Sequence, residues 1–467
     1  MGQTEGVAEF ITREVTDVTR PRGAFRERKE LGHLPGRSGA WAGIHNVLSA
    51  SRHGIAHWNE QVNRFGPVHR SAFGPFDLVI VHDAAAVNQI ARNEDRLWSA
   101  AVGWRVFFAG FVGPEETMDT PVMLDGDPHK DARKLLQPAF GGAALTEYMR
   151  IARSMLEPAL DEWTRSGRVS FKSAIRRLLA RVAGRLFMGI DDEKEAEVLD
   201  RALADFWRSP LALIRSRTWS STWRRGLDGY ALLAERLSAR VAERRKTGGV
   251  DLFGRMCQSA GDIDRVDDKA LVSMFIGVMS AAFDTTSLGL TSMAHLLASH
   301  PEWQERLAAE AVRAGGEPDY ATLRELTEHE WAWKETLRLL PVANALPRIA
   351  LRDTELGGHR IPAGSFVNAF VSTPMHDPKY WTRPSEFDPE RFSPARAEDK
   401  KSGAYMPFGA GAHTCIGAQL SSLEAKLFWM LMLSRTRIRH AGKPATRHTF
   451  TPLGCVAGPV ELVLDRH

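Results

Sequence analysis

A glycine-rich segment that ends on a cysteine constrains this chain more than any other feature of its sequence. Residues 408–417 read FGAGAHTCIG, and they lead into an apolar stretch, residues 416–433, that we predict to be a helix. Glycines let a backbone turn tightly, and a helix that begins just after a cysteine points its first amides towards the sulfur. Those amides stabilise a thiolate. The segment therefore predicts a loop that presents Cys415 as a thiolate.

The chain has two other cysteines, Cys257 and Cys455. Three cysteines in 467 residues form no disulfide framework, and they suit a reducing cytosol. Two simpler interpretations of Cys415 remain open at this point. It could be a small buried residue, as free cysteines often are. A zinc site is a poorer fit, because no second cysteine lies at ligand spacing.

A second segment, residues 271–286, is a long apolar run that is interrupted near its end by Asp284, Thr285 and Thr286. In a helix, the Thr285 hydroxyl reaches the carbonyl oxygen of Ala281, one turn earlier, and opens a local groove. The plainer alternative is that Asp284 and Thr285 only kink or cap a core helix.

Together the two segments resemble the cytochrome P-450 family. FGAGAHTCIG fits the haem-binding signature of that family: Phe, two residues, Gly, three residues, Cys, one residue, Gly. The run AAFDTT, residues 281–286, fits the motif of its central helix, with Ala282 in place of the usual glycine. The resemblance implies a mainly α fold with small β-sheets (α+β), built as a single large domain with a long central helix over the haem.

The resemblance also implies roles for these residues. Cys415 would be the axial thiolate ligand of the iron in haem b, and thiolate donation favours cleavage of the O–O bond of O2. Asp284 would gate protons from solvent, and Thr285 would stabilise the oxygen bound at the iron. Ala282 would add a methyl group above the haem.

Further residues are assigned to haem binding by the same resemblance. Gly417 completes the signature after Cys415, and Phe408 would shield the sulfur. Guanidinium groups suit the haem propionates because they can bind both oxygens of a carboxylate. The side chains predicted to bind the propionates, for which a plain surface charge is the alternative, are His129, Arg133, Arg348 and His413.

Glu335 and Arg338 stand three residues apart, on one face of a predicted helix. The family pairs such a Glu-x-x-Arg with an arginine from a later loop, and the segment FDPERF supplies Arg391 there. The resemblance implies a buried ion triad that fixes the loop of Cys415, which is an architectural role. A bare Glu-x-x-Arg is common on solvated helices, so the pair alone does not decide this.

An aromatic segment, residues 98–113, falls where the family has a variable loop over the haem. We predict an apolar substrate pocket there, with ordinary core packing as the alternative. The predicted wall comprises Trp104, Phe107, Phe108, Phe111, Phe275, Met279, Ala282, Val342, Leu346 and Leu453. The basic aromatic stretch 206–223 falls where the family has a mobile lid; contact with a membrane or a carrier protein is the alternative.

The rest of the sequence indicates how the chain is organised. Residues 1–40 are polar and contain several prolines and glycines, so we predict an irregular N-terminal segment followed by one domain over residues 41–467. We expect a β-hairpin at residues 68–82, helices from about residue 83 to residue 300, and short strands at residues 351–370.

The charge balance bears on the partners. Sixty-one basic and 57 acidic residues give a net charge of +4, which is too small for a nucleic-acid-binding protein. The chain has no flavin or iron–sulfur motif, so electrons would come from NAD(P)H through a separate ferredoxin or flavodoxin with its reductase. Lys130, Lys134 and Lys426 would dock this acidic partner. No apolar run near the N-terminus has the length of a signal or membrane span, so we expect no transmembrane anchor and a cytoplasmic protein.

These expectations combine into one function. The chain would be a haem-thiolate monooxygenase that hydroxylates or epoxidises a lipophilic small molecule, such as a terpene, steroid, fatty acid or polyketide. One alternative is a haem-thiolate peroxygenase or isomerase, but such proteins usually lose the acid–alcohol pair that Asp284 and Thr285 retain here. Another is a non-enzymatic haem-thiolate ligand sensor.

Overall fold

The computed structural model describes residues 27–73, 76–108, 120–209, 217–260, 266–282, 284–315, 317–400, 403–449 and 453–467. Three expectations from the sequence fall partly outside these ranges. The irregular N-terminal segment is described only from residue 27 onwards. Phe111 and residues 210–216 of the expected lid also lie outside the described residues.

Helices make up most of the described chain. They are α1 (Ala40–His53), α2 (Ile55–Phe65), α3 (Ala84–Arg92), α4 (Ala100–Phe108), α5 (Gly126–Leu136), α6 (Gly142–Ser166), α7 (Phe171–Met188), α8 (Glu193–Arg208), α9 (Ser221–Thr247), α10 (Leu252–Ser259), α11 (Asp268–Ala282), α12 (Thr285–Leu297), α13 (Pro301–Ala314), α14 (Tyr320–Glu325), α15 (Thr327–Leu339) and α16 (Ala418–Leu433).

The strands are short. They are β1 (Val68–Phe73), β2 (Phe76–Val81), β3 (Trp98–Ser99), β4 (Arg168–Ser170), β5 (Ala345–Ala350), β6 (Thr354–Leu356), β7 (His359–Ile361), β8 (Phe366–Phe370), β9 (Thr436–His440), β10 (His448–Thr449), β11 (Cys455–Val456) and β12 (Glu461–Arg466). The largest sheet has the order β1-β2-β8-β5-β3, and the other strands form smaller sheets, β4-β12-β9, β10-β11 and β6-β7.

The five-stranded sheet joins two distant parts of the chain. β1 and β2 form the predicted hairpin, with Val68 opposite Val81. β2 then runs parallel to β8, and β8 pairs antiparallel with β5, where Arg348 lies opposite Val367. This pairing places Arg348 on an inner strand of the sheet.

Several helices begin at aspartates whose side chains cap them. The Asp83 carboxylate accepts from the Ala86 amide at the start of α3. Asp192 does the same at α8, Asp251 at α10 and Asp319 at α14. A cap of this kind satisfies an amide that has no partner within its helix, and it is worth about 1 kcal/mol. These caps are local, so the sequence around them specifies where the helices start.

The helix that follows the cysteine loop is anchored in the main core. Leu427, Phe428 and Trp429 of α16 are all fully buried. Phe171, at the start of α7, stacks on Trp429 with ring centroids 6.0 Å apart and meets Phe428 edge to face at 5.6 Å. Burial of each large side chain contributes roughly 1.5–3 kcal/mol. The second half of α16 is therefore anchored in the main core.

The architecture is the mainly helical one with small sheets that the sequence predicts, with one difference in detail. Strand structure begins at Ala345, before the predicted range. The central helix is described as α11 and α12, on either side of residue 283. Hydroxyls bond backbone carbonyls here: Thr285 bonds Ala281 and Ser287 bonds Asp284.

Within the described residues, one stretch is long and apolar enough to cross a membrane by length and composition alone. It is Asp268–Leu297, which spans α11 and α12, and 65% of its most apolar window is buried inside the protein. A buried core helix is expected to pass the same test.

Candidate active site

The loop before Cys415 depends on two glycines in left-handed backbone conformations. The φ angle is 71° at Gly409 and 68° at Gly411, a region that other residues rarely adopt. Gly411 also lies against the end of α3, where an added Cβ would come within 2.6 Å of the Arg92 carbonyl oxygen. The Cys415 amide donates to the Phe408 carbonyl oxygen at 2.9 Å, which closes the loop.

The thiol of Cys415 is surrounded by groups that act on it in opposite directions. The residue keeps an exposed surface, but nearby protein atoms desolvate the thiol and raise its pKa. The backbone amides of Gly417 and Ala418 and the charge of Arg133 favour the thiolate instead. The start of α16 therefore supplies the donors that a sulfur anion needs.

α5 contacts the cysteine loop through two side chains. The Arg133 guanidinium donates to the Thr414 carbonyl oxygen at 2.9 Å. One turn earlier, the buried His129 ring lies 4.1 Å from the ring of His413, measured between centroids. Burial, followed by the charges of His413 and Arg133, lowers the pKa of His129 to about 4. The structure thus brings together three of the four residues predicted to bind propionates.

Arg348 is the fourth, and it is 2% exposed. Its Nη1 donates to the carbonyl oxygen of its own neighbour Pro347 at 2.9 Å, while its Nε has no hydrogen-bond partner among the described residues. Burial lowers the pKa of Arg348 to about 10, and the charge of Asp125 opposes that effect. A buried guanidinium without a direct carboxylate partner is costly, so its chemistry suits an anionic ligand.

The acid–alcohol pair lies at the start of α12. The Thr285 hydroxyl donates to the Ala281 carbonyl oxygen at 3.1 Å, which is the contact that the sequence predicts. The Asp284 carboxylate accepts from the Nε of Arg176, on α7, at 3.0 Å. Desolvation raises the pKa of Asp284, and Arg176 lowers it in part. Arg176 also lies 3.8 Å from the carboxylate of Asp200 on α8.

Thr286 connects this segment to the helix of the cysteine loop. Its side chain hydrogen-bonds Glu424 on α16. Burial raises the pKa of Glu424 to about 7, and the hydrogen bond from Thr286 partly lowers it. The structure therefore links the two motifs that the sequence singles out.

α11 presents two different faces. Gly277 packs against Thr120, since an added Cβ would lie 2.5 Å from the Thr120 side chain, and Ala281 shares this face by helical spacing. Phe275 and Met279 lie on the opposite face, where they line a small apolar cavity between α7, α8 and α9. Phe275 and Met279 line this cavity, and their place in the substrate-pocket wall stays a prediction.

The other predicted wall residues divide into three groups. Ala282, at the end of α11, and Trp104, on α4, are both partly buried against the main core. Phe107 and Phe108 belong to the last turn of α4, but their side chains, like Phe111, lie outside what the structure describes.

The third group surrounds the turn after α15. Val342 is buried, and its carbonyl oxygen accepts from the Gly454 amide at 2.8 Å, which brings the partly buried Leu453 to the same region. Leu346 lies two residues before Arg348 on β5. α4 packs directly on this strand, because a Cβ on Gly103 would meet the Pro347 carbonyl oxygen at 2.6 Å. Trp104 and Arg348 therefore lie on touching elements.

Glu335, Arg338 and Arg391 form a fully buried ion triad. The Glu335 carboxylate lies 2.7 Å from Arg338 Nε and 3.0 Å from Arg391 Nε. Arg338 also donates to the Met375 carbonyl oxygen at 2.8 Å, and Arg391 pairs with Glu398 at 3.1 Å. The triad joins α15 to the loop region that precedes residues 408–417.

The sequence profile of one family, cytochrome P-450, matches residues 35–462. The chain belongs to the cytochrome P-450 family. Cytochrome P-450 136 of Mycobacterium tuberculosis is 34% identical over 379 residues, which cover 79% of this chain and 75% of the relative. The cyclooctat-9-en-7-ol 5-monooxygenase of Streptomyces melanosporofaciens is 30% identical over 328 residues, 67% of this chain and 71% of the relative.

A solved structure agrees on the fold. The retinoic acid-bound cyanobacterial CYP120A1 superimposes with a TM-score of 0.83 over 93% of this chain and 99% of the other, at 22% sequence identity. The mainly α cytochrome P-450 fold is therefore confirmed. Members of this family are haem monooxygenases, so the protein is of the oxidoreductase class that uses haem b and O2.

The residues present fit haem b. The buried Arg348 has an Nε without a partner among the described residues, which suits a propionate. Arg133, His129 and His413 add further donors close to the cysteine loop. Cys415 has amide donors that favour the thiolate form needed to bind iron.

One lysine predicted to dock a cytochrome P-450 redox partner is buried instead. Lys426 is 6% exposed and its Nζ lies 3.0 Å from the carboxylate of Glu330, so that prediction is wrong. Lys130 and Lys134 are exposed on α5, the helix that carries Arg133. The error arose because the second half of α16, residues 425–433, is apolar on all sides apart from Lys426, so the sequence gives no sign of the direction of this lysine.

Three charged residues at the site were missed by sequence reasoning. Asp125 contacts His413, Arg176 contacts Asp284, and Glu398 contacts Arg391. Each partner is either in a different element or beyond a turn, so no short motif joins the two. The sequence gave one signal, which was the position of Asp125 just before a predicted helix. That position predicts a cap for α5, whereas the carboxylate binds the start of α4.

Proposed function

We propose that the protein is a monooxygenase that inserts one atom of O2 into a C–H or C=C bond of a lipophilic small molecule. The observation that carries this proposal is the Thr285 hydroxyl donating to the Ala281 carbonyl oxygen beside Asp284. A haem-thiolate peroxygenase or isomerase needs no such acid–alcohol pair. The reaction consumes two electrons and two protons, places one oxygen atom in the product and releases the other as water.

Haem b, when bound, supplies the iron at which O2 is activated. The chain contributes binding and proton transfer around it. Cys415 would donate its thiolate, and Arg348, Arg133, His129 and His413 would bind the propionates. Phe408 would cover the sulfur, and the Gly417 amide would donate towards it.

Protons would reach the site through the acid–alcohol pair. Asp284 is only partly exposed and is held by Arg176 on α7, so its carboxyl can exchange with solvent while keeping a fixed position. Its raised pKa favours a proton that can be passed on. The proton would then pass to the hydroxyl oxygen Oγ1 of Thr285, the next residue in the chain, which would hold it in place.

The substrate would be a small apolar molecule. Trp104, Val342, Leu346 and Leu453 supply apolar surface on elements that touch β5 or the turn after α15. A terpene, steroid, fatty acid or polyketide fits such a wall. The Streptomyces relative, named as a monooxygenase of cyclooctat-9-en-7-ol, supports a small lipophilic substrate.

Electrons would come from NAD(P)H through a ferredoxin or flavodoxin and its reductase, in the cytoplasm. Lys130 and Lys134 lie on α5, whose Arg133 contacts the loop of Cys415. An acidic partner docked there would approach the thiolate side. The double variant Lys130→Glu/Lys134→Glu should slow reduction by a ferredoxin at low salt, whereas the exposed Lys443→Glu should not. If the ferredoxin reduces the wild type and both variants at equal rates, Lys130 and Lys134 do not form the docking site.

The decisive experiment is spectroscopic. We expect the purified, haem-loaded protein, reduced under CO, to absorb as a thiolate-ligated haem. A screen of terpenes, steroids, fatty acids and polyketides should then yield a compound that shifts the ferric spin state. A histidine-type CO spectrum, or no haem uptake, would overturn the proposal.

Turnover separates the alternatives. With a compound that shifts the spin state, Thr285→Ala should release peroxide in place of product, while Thr285→Ser should stay coupled. Unchanged coupling in the alanine variant would remove Thr285 from the mechanism. Product formed from peroxide, with none formed from O2 and reductant, would favour a peroxygenase. CO binding with no turnover of any compound in the wild-type protein would favour a sensor.

A further inference from the structure

Asp125 is a charged residue at the site to which no role has yet been given. It stands just before α5, but its carboxylate makes no capping bond to that helix. Instead it accepts hydrogen bonds at the start of α4, a helix that begins 25 residues earlier. The donors are the Ser99 hydroxyl, the Ala100 amide at 3.1 Å and the Ala101 amide at 3.2 Å.

The same carboxylate reaches the cysteine loop. Its Oδ1, which receives the Ala100 amide, lies 3.4 Å from the Nε2 of His413. His413 stands two residues before Cys415, and its ring is packed against His129. One carboxylate therefore touches both the helix that carries Trp104 and the loop that carries the sulfur.

Asp125 also brings a negative charge to this region. Burial alone would raise its pKa, but hydrogen bonds from His413 and Ser99 and the nearby amides hold the pKa below its ordinary value. Its charge also acts on Arg348 and on His129. An ionised carboxylate thus lies among the side chains that are proposed to hold haem.

We propose that Asp125 is a positioning residue that couples α4 to the loop of Cys415 through His413. It fixes the first turn of α4 and the imidazole of His413 relative to each other, so a ligand that moves α4 also acts on the cysteine loop. This inference rests on the proposed function for the haem site, because it assigns α4 to the substrate side.

The competing explanation is that Asp125 is a local helix cap and nothing more. Hydrogen exchange of the haem-loaded protein separates the two. In Asp125→Ala, loss of the cap should speed exchange at residues 100–104 by roughly fivefold. Coupling predicts faster exchange at residues 408–417 as well. Acceleration confined to residues 100–104 would reduce Asp125 to a cap and overturn the proposal.

A charge variant guards against a general loss of folding. Asp125→Asn keeps one acceptor oxygen, which can serve the Ala100 or the Ala101 amide, but removes the charge beside His413. The matched control is Asp127→Asn, two residues along, where the carboxylate is exposed and pairs with Lys130 at 2.8 Å. The haem midpoint potential should rise in Asp125→Asn, since a negative charge that disfavours reduction is removed. It should change little in Asp127→Asn.

Comparing wild type with these variants also separates a failure of this proposal from a failure of the function on which it rests. If wild type shows a thiolate-ligated haem and both asparagine variants give the same potential, the coupling fails while the haem site stands. If wild type binds no haem as a thiolate complex, the proposed function fails, and exchange at residues 408–417 in Asp125→Ala still reports whether Asp125 holds the loop.

Discussion

At the scale of single residues, the cysteine loop depends on backbone conformations that few side chains permit. Gly411 combines a φ of 68° with a contact that leaves no room for a Cβ beside the Arg92 carbonyl oxygen. Gly411→Ala should therefore distort the loop and abolish the thiolate-type CO spectrum. Gly442→Ala, at a glycine with open space around it, is the control. A normal CO spectrum in both variants would show that the loop tolerates a side chain.

Arg348 allows a second prediction, because no carboxylate of the described residues pairs directly with its buried charge. Arg348→Met keeps the length of the side chain and removes the charge, so the haem-free protein should become more stable by about 1–4 kcal/mol. The same variant should lose haem to a competing apoprotein faster than wild type does. Urea unfolding of the haem-free protein and the rate of haem transfer measure the two effects. If the haem-free variant is less stable than wild type, the protein itself compensates the charge of Arg348, and no bound anion is required.

At this scale, a residue could be predicted when its role depends on partners close in the sequence. Cys415, Thr285 and the triad residue Glu335 belong to short patterns whose spacing is itself the requirement, and the structure shows the contacts expected for Thr285 and Glu335. The direction of Phe275 and of Lys426 depends on what packs around their helices. Neither could be predicted from the residue and its neighbours in sequence.

At the scale of elements, the ion triad fixes α15 to the loop region around residues 382–398. Glu335→Gln removes one charge and leaves Arg338 and Arg391 buried with less compensation, so it should destabilise the protein by about 3–5 kcal/mol. The chain contains its own control in Glu147 and Arg150, a second Glu-x-x-Arg that pairs on the surface of α6. Glu147→Gln should cost about 1 kcal/mol or less. Urea unfolding followed by tryptophan fluorescence compares the two, and equal losses would contradict a structural role for burial.

Element boundaries were predictable where they are set locally. Aspartate caps mark the starts of α3, α8 and α10, and the hairpin β1–β2 follows from alternating apolar residues. The extra length of β5 came from pairing with β8, which is a tertiary contact.

At the scale of the whole molecule, the sheet order could not be derived from the sequence. β2 pairs in parallel with β8, almost 290 residues further on, by the numbering of their partners Val79 and Val367. Short strands with similar composition can pair in several orders, and only the surrounding helices decide among them. Periodicity predicted where helices and strands lie, and the resemblance to a family implied the fold class, but neither predicted the order of the strands.

The whole protein also carries a group of buried histidines that should make it sensitive to mild acid. Burial lowers the pKa of His69 and of His295 to about 4. A histidine whose pKa is lowered on folding binds its proton more readily when unfolded. Its contribution to stability is therefore complete above pH 6.5 and is lost as the pH falls from about 6.5 towards 4. Each fully buried ring accounts for about 3 kcal/mol at most.

Buried carboxylates affect stability over a separate, lower pH range. Burial would raise the pKa of Glu310, but hydrogen bonds from His329 and two amides outweigh it and lower the pKa to about 2. Its contribution is complete above pH 4.5 and is lost between about pH 4.5 and 2. The urea midpoint should thus fall in two stages as the pH is lowered from 7.

Asparagine can replace the hydrogen bond that His69 makes to the Gly66 carbonyl oxygen but cannot take up a proton. His69→Asn should therefore flatten the first stage, between pH 6.5 and 4, and leave the second unchanged. The exposed His33→Asn is the control. If the midpoint of His69→Asn falls as steeply as that of wild type over this range, the buried ring does not exclude its proton, and the acid sensitivity of the fold has another source.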